Sequence, residues 1–127
     1  MAASIPIGVL VGLVLLANNI RDVQYDGSVN TKTIAVVLGA KGAARLYETL
    51  LVLTYAFVAG GILVRALPVW ALLVFLTAPE AFGLRKMFRG AVPDNADPKT
   101  AALALRFALF YMAAFILAVL IPHISYL

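Results

Sequence analysis

Between positions 18 and 26 the chain reads Asn18-Asn19-Ile20-Arg21-Asp22-Val23-Gln24-Tyr25-Asp26. Three amides, one guanidinium and two carboxylates follow seventeen residues without a charge. On a helix, Asn18, Asp22 and Asp26 fall at i, i+4 and i+8, roughly on one face, with Asn19 beside it. Like charges four residues apart cost an isolated helix about 0.2–0.5 kcal/mol. Gly27 predicts a helix end just after Asp26, and a helix C-terminus disfavours exposed anions by about 0.3–1 kcal/mol each. A divalent cation removes both penalties. Mg²⁺ suits these donors, because it takes one or two carboxylates, keeps waters and completes its shell with substrate phosphate. The alternative is an apolar helix leaving a bilayer with its polar end solvated.

The elements that must position these residues are set by composition. Of 127 residues, 64% are hydrophobic, and the mean hydropathy is +1.01. Soluble domains are about 45–50% apolar, so the chain reads as a membrane protein. Cysteine is absent, which excludes disulfides, thiolate metal sites and redox pairs. The net charge of +4 is no nucleic-acid signal, because the basic residues gather in two loops. The opening Met1-Ala2-Ala3-Ser4-Ile5-Pro6 lacks a positive n-region, so no signal peptide is expected.

The hydropathy pattern predicts an all-α polytopic membrane protein, a single transmembrane domain over 1–127. Four transmembrane helices are expected at about 5–26, 43–64, 68–88 and 98–121, each long enough for a bilayer core about 30 Å thick. Pro6 fits a first helical turn. Gly8 and Gly12 form a small-xxx-small pair that admits a close neighbour. The piece 33–38, closed by Gly39, either lies at the interface or folds over whatever binds near Asp22, with Lys32 between. Arg65-Ala66-Leu67-Pro68 predicts a tight turn. Pro79 predicts a kink that frees a carbonyl. Glu80 is either a functional group at membrane depth or an interfacial partner of Arg85 or Lys86, and the second reading is preferred. Asp97-Pro98 predicts a helix N-cap followed by its first residue. Arg106 either snorkels or faces an anion. His123, the one histidine, follows a helix end and is read as incidental.

Arg21, Lys32, Lys41 and Arg45 surround the first loop; Arg85, Lys86, Arg89 and Lys99 surround the third; Arg65 stands alone opposite. The positive-inside rule then places the first and third loops in the cytoplasm of an inner-membrane protein, with both termini outside.

Asn18-Asn19-Ile20-Arg21-Asp22-x-x-x-Asp26, followed by Lys32-Thr33-Ile34-Ala35-Val36-Val37-Leu38-Gly39, resembles the second aspartate-rich motif of the UbiA superfamily of intramembrane prenyltransferases. Within it the stretch resembles the 1,4-dihydroxy-2-naphthoate polyprenyltransferase branch of menaquinone synthesis (MenA type), whose pattern runs close to NNIRDxxxDxxxGKRTLAVxLG. Ser4-Ile5-Pro6-Ile7-Gly8 and Ala44-Arg45-Leu46-Tyr47 are similar to that branch too. Two departures stand out. Asn30-Thr31 replaces the usual Gly-Lys, and Lys32 takes the Arg position, leaving one basic residue where two are usual. Family members also carry two aspartate-rich motifs among about nine helices, whereas this chain has one motif and four expected helices, matching the C-terminal part.

The resemblance implies Mg-dependent transfer of a polyprenyl group from polyprenyl diphosphate to an aromatic acceptor such as 1,4-dihydroxy-2-naphthoate. It implies that Asp22 and Asp26 bind Mg²⁺ as the catalytic pair and that Asn18 and Asn19 orient them. Lys32, with Arg21, meets the diphosphate. The missing motif implies a homodimer or a separate N-terminal half, or else a fragment without turnover. The competing reading is a small non-enzymatic four-helix membrane protein that binds lipid or a partner protein. No nucleic-acid partner is expected.

Overall fold

The computed structural model describes residues 2–90 and 92–122, so His123 lies outside the described residues. A 3₁₀ turn at Ala2–Ser4 leads into α1 (Ile5–Arg21) and α2 (Val23–Ser28), then α3 (Ile34–Leu63). A 3₁₀ segment at Val69–Thr77 passes into α4 (Ala78–Phe88), and α5 (Ala96–Leu120) closes the bundle. Every regular element among the described residues is helical. Helix α1 packs against α3 and α5, and α5 also packs along the 3₁₀ segment.

Each helix turns one stripe inward. In α5 the buried residues are Ala96, Thr100, Leu103, Phe107, Tyr111 and Ala114, while Leu105, Leu109, Met112, Ile116 and Val119 are exposed. Both rows repeat at three- and four-residue spacing, as opposite faces of one helix. The outer row is as apolar as the inner one, which water would not tolerate over such a length. Helices α3 and α5 are long and apolar enough to cross a membrane, and only 22% of the most apolar window of each is buried. A soluble core helix would be mostly buried, so this apolar exterior is the surface of an integral membrane protein.

The hydroxyls of Tyr47, Tyr55, Thr77 and Thr100 on the inward stripes are paired. Thr100 Oγ1 donates to the Ala96 carbonyl at 2.8 Å, so the Tyr47 hydroxyl, 2.9 Å away, donates to Thr100. Thr77 donates in the same way to the Val74 carbonyl at 2.6 Å and accepts from Tyr55 at 2.6 Å. The Tyr47 ring also stacks on Phe88 with centroids 3.9 Å apart, joining α3 to α4.

Three local features differ from the sequence expectation. Helix α1 is interrupted at Asp22 (φ −93°, ψ 8°), and α2 runs through Gly27 to Ser28. Its end is made by Asn30, at φ 56°. Asn30 N–H donates to the Gly27 carbonyl at 3.4 Å, and Thr31 N–H to the Asp26 carbonyl at 2.9 Å. This is a Schellman ending, and asparagine is the residue that best replaces glycine in the left-handed conformation. Helix α3 starts at Ile34, capped by Thr33, and bends at Gly39 (φ 68°, ψ 159°), a conformation essentially restricted to glycine. The piece 34–38 is therefore a short helical turn of its own, closed at Gly39 as the sequence predicts.

Pro79 lies in the first turn of α4 rather than inside an α-helix. The Phe75 carbonyl that it cannot serve accepts the Ala78 N–H instead, through the tighter 3₁₀ pattern. Helix α5 starts at Ala96 with Asn95 at the cap, two residues before the expected Asp97. Pro98 is still tolerated, since the first four N–H groups of a helix need no internal partner. The turn at Arg65 is as expected, with Ala66 and Leu67 N–H groups both on the Gly61 carbonyl. A Cβ on Gly61 would lie 2.6 Å from the Leu67 side chain, so that position needs glycine. Gly8 and Gly12 have nothing within 4 Å of such a Cβ and meet no neighbouring helix among the described residues.

The hydroxyl pairing gives a contrast in stability. Tyr47→Phe removes a buried hydrogen bond and should lower the free energy of unfolding in detergent by about 0.5–1.5 kcal/mol. The Tyr111 hydroxyl is buried without a hydrogen-bond partner. Tyr111→Phe should therefore be neutral or stabilising in the same denaturant titration.

Candidate functional site

Helix α1 delivers Asn18, Asn19 and Arg21 in its last turns, and the break at Asp22 begins α2. The backbone bonds persist across that break. Asp22 N–H donates to the Asn18 carbonyl at 3.0 Å, and Asp26 N–H to the Asp22 carbonyl at 2.9 Å. Asn18, Asp22 and Asp26 therefore keep their one-turn spacing.

Arg21 is the hub. Its Nε donates to Asp22 Oδ1 at 2.8 Å, and Nη2 donates to Asp22 Oδ2 at 2.9 Å. Nη2 also reaches Asn18 Oδ1 at 2.7 Å, and Nη1 reaches Asp97 Oδ1 at 2.7 Å. The Arg21 side chain is only 27% exposed. Such forked, charge-assisted bonds fix geometry as well as supplying energy. The hydrogen bond from Arg21 holds the Asp22 carboxyl below the usual carboxylate range, against the opposing effect of partial burial. Asp22 thus stays ionised, and Arg21 balances the charge that clashes with Asp26.

The remaining expected site residues are less constrained. Asn19 and Asp26 are half-buried, and Lys32 is exposed on the connection between α2 and α3. Sequence reasoning missed Asp97 as a member of this cluster. It lies 76 positions from Arg21 and was read only as a helix cap. Three other ion pairs correct the sequence expectation. Glu80 pairs with Arg106 on α5 rather than with Arg85 or Lys86, so the anion facing Arg106 is Glu80. Arg85 and Arg89 instead hold Glu48 of α3. No local pattern announces contacts between residues so far apart in the chain.

The donor set can be tested against Mg²⁺. Carboxylates are the hard oxygen ligands that the ion prefers. Asp22 has two of its roughly four lone-pair positions taken by Arg21, so metal binding needs no rupture of that fork. Among the described residues, no group of three or more His, Cys, Asp or Glu is gathered to hold a metal. Two carboxylates on consecutive turns fit an ion that arrives with phosphate oxygens of its own, rather than a standing all-protein site.

Related proteins share this part of the chain. It is 40% identical over 93 residues to the 1,4-dihydroxy-2-naphthoate octaprenyltransferase of Bacillus subtilis (strain 168), covering 72% of this chain and 30% of that protein. It is 34% identical over 115 residues to the human UbiA prenyltransferase domain-containing protein 1, covering 91% of this chain and 33% of that protein. The giant panda (Ailuropoda melanoleuca) protein of the same name is 35% identical, covering 91% of this chain and 34% of its own length. The chain therefore spans about a third of the length of the curated relatives it matches. No family model matches it, and no solved structure matches it.

The Arg21 fork sets an expectation for titration. Because the folded-state pKa of Asp22 is depressed, its stabilising contribution is complete above the ordinary value of 3.8 and is lost as pH falls through the depressed one. In Arg21→Gln, carboxyl chemical shifts of labelled aspartates should show Asp22 titrating at higher pH than in the parent. An unchanged midpoint would mean that the fork does not operate in solution.

Proposed function

Over the third of the relatives' length that it spans, the chain belongs to the UbiA superfamily of prenyltransferases, and from that premise we propose that it forms the diphosphate-binding portion of a prenyltransferase. The observation that carries this reading is the Asp22–Asp26 pair, one turn apart and anchored through Arg21 to Asp97. The proposed donor is a polyprenyl diphosphate. The proposed acceptor is an electron-rich aromatic ring, 1,4-dihydroxy-2-naphthoate by analogy with the name of the Bacillus relative.

In this reading Asp22 and Asp26 hold the Mg²⁺ that accompanies the diphosphate. That ion supplies charge stabilisation for the leaving group when bound. Asn18 and Asn19 orient the carboxylates. Arg21 positions Asp22 and keeps it ionised. Lys32, exposed and one short connection away, turns toward the diphosphate. The allylic C–O bond breaks, both electrons leave with the diphosphate, and a ring carbon bonds to the prenyl carbocation. In the naphthoate branch the ring then loses its carboxylate as CO₂. The apolar exterior suits a prenyl tail that runs into lipid.

Four spans are proposed, adding α1 and the Val69–Phe88 run to the two long helices. The 17 residues of α1 extend about 26 Å at an α-helical rise. The nine 3₁₀ residues and eleven of α4 extend about 34 Å together. Both lengths approach a hydrocarbon core of about 30 Å. The charge pattern then places Asp22 and Asp26 on the cytoplasmic side of the inner membrane. This stretch carries one aspartate pair, and the complete site draws its second pair from outside it, whether from another copy, a separate N-terminal half or the rest of a longer chain.

The deciding experiment supplies the chain in membranes with a polyprenyl diphosphate, dihydroxynaphthoate and Mg²⁺, and detects prenylated product by mass. With a second aspartate pair available, product should form and fall at least about a hundredfold in Asp22→Ala or with chelator. Product that survives Asp22→Ala would contradict the proposed role of the pair.

A further inference from the structure

A second charged cluster lies on a different face of α3. Lys41, Arg45, Glu48, Val52 and Tyr55 repeat at helical spacing along one stripe, away from the buried stripe of Ala43, Tyr47, Leu51, Thr54 and Val58. Opposite stand Arg89 and Arg85 of α4, followed by Phe82, Ala78 and Phe75. Two adjoining cavities share Val52. The one lined by Arg45, Glu48, Thr49 and Arg89 sets charged groups among largely apolar walls and holds about 610 Å³. The other, about 200 Å³, is bounded by Leu51, Tyr55, Phe75 and Phe82, with Arg85 at its mouth.

The charges at the polar end do not cancel. Glu48 accepts one bond from Arg85 and two from Arg89, out of five N–H donors on each guanidinium. Its single carboxylate thus fixes two cations in place and neutralises one. Lys41 and Arg45, both exposed, have no ion-pair partner among the described residues. Four cations therefore face one carboxylate at one end of a groove whose other end is apolar. From Lys41 to Tyr55 the groove follows about 21 Å of helix.

We propose that this groove holds a bilayer lipid with a phosphate-bearing, net anionic headgroup. The phosphate lies among Lys41, Arg45, Arg85 and Arg89, and an acyl chain lies along Val52, Tyr55 and Phe75. Charge complementarity selects the head, since a basic pocket between membrane helices favours anionic lipid. The apolar half selects a lipid over a free anion, because phosphate alone gains nothing from aromatic and aliphatic walls. The site uses neither Asp22 nor Asp26 and is independent of the proposed transferase chemistry.

The test is lipid retention by the purified chain. The chain is equilibrated in detergent with equal amounts of phosphatidylglycerol and phosphatidylcholine, and bound lipid is read by native mass spectrometry. Phosphatidylglycerol should be retained about tenfold or more over phosphatidylcholine. Lys41→Gln with Arg45→Gln removes cations that have no ion-pair partner among the described residues, and should bring the ratio close to one. Val52→Trp should fill the groove and reduce retention of both lipids, whereas Lys99→Gln, outside it, should change nothing. Excess inorganic phosphate should leave the lipid bound. Equal retention of both lipids by the parent chain, or a preference untouched by the double variant, would overturn the proposal. Displacement by inorganic phosphate would assign a free-anion site instead. A dimer dissociated by Val52→Trp, without lipid selectivity, would assign the groove to a second copy.

Discussion

The guanidinium of Arg21 is the constraint on which the candidate site depends. It ends α1, where a cation is favoured by the helix dipole, and it bonds Asp97 in the first turn of α5, where an anion is favoured. The same group closes a fork on Asp22 and takes the Asn18 amide oxygen. One side chain therefore fixes the relative position of two helix ends and the orientation of the Asp22 carboxylate at once. Half-buried, it is less screened than a surface pair, and its loss would leave two carboxylates without their partner.

Around that tie the bundle obeys the demands of an apolar solvent. Side chains pack inward by shape and outward by hydropathy, so polarity cannot tell the two faces apart. Threonines that return their hydroxyl protons to their own helix then accept from tyrosines on neighbouring elements. These bonds join elements while satisfying the donors that take part in them. The charged groups concentrate at the loop ends, where Arg21 organises one cluster and Glu48 organises another.

Much of this was legible in the sequence because it is local. The Asn18–Asp26 stretch announced itself by charge against an uncharged background, and the turn at Arg65 by its proline and the end of an apolar run. The expected spans at 43–64 and 98–121 end within a residue of Leu63 and Leu120. What escaped depends on partners distant in sequence or on fine backbone choice. Asp97 carries a capping signature, and only the folded chain brings it to Arg21. Gly27 looked like a terminator, yet the left-handed residue is Asn30. That also accounts for asparagine where the family pattern has glycine, since both residues can end a helix this way. Pro79 signalled a break correctly, but the 3₁₀ geometry that absorbs it has no distinct periodicity over so short a run.

Asp22 and Asp26 are proposed to receive a metal-bound diphosphate together. The most direct measurement is equilibrium binding of a polyprenyl diphosphate to the chain in detergent, with Mg²⁺ and then with chelator, comparing the parent with Asp26→Asn. That variant removes one charge at a half-buried position while preserving size. Binding should depend on Mg²⁺ and weaken about tenfold or more in Asp26→Asn. Binding of equal strength with chelator, or unaltered in the variant, would contradict the proposal.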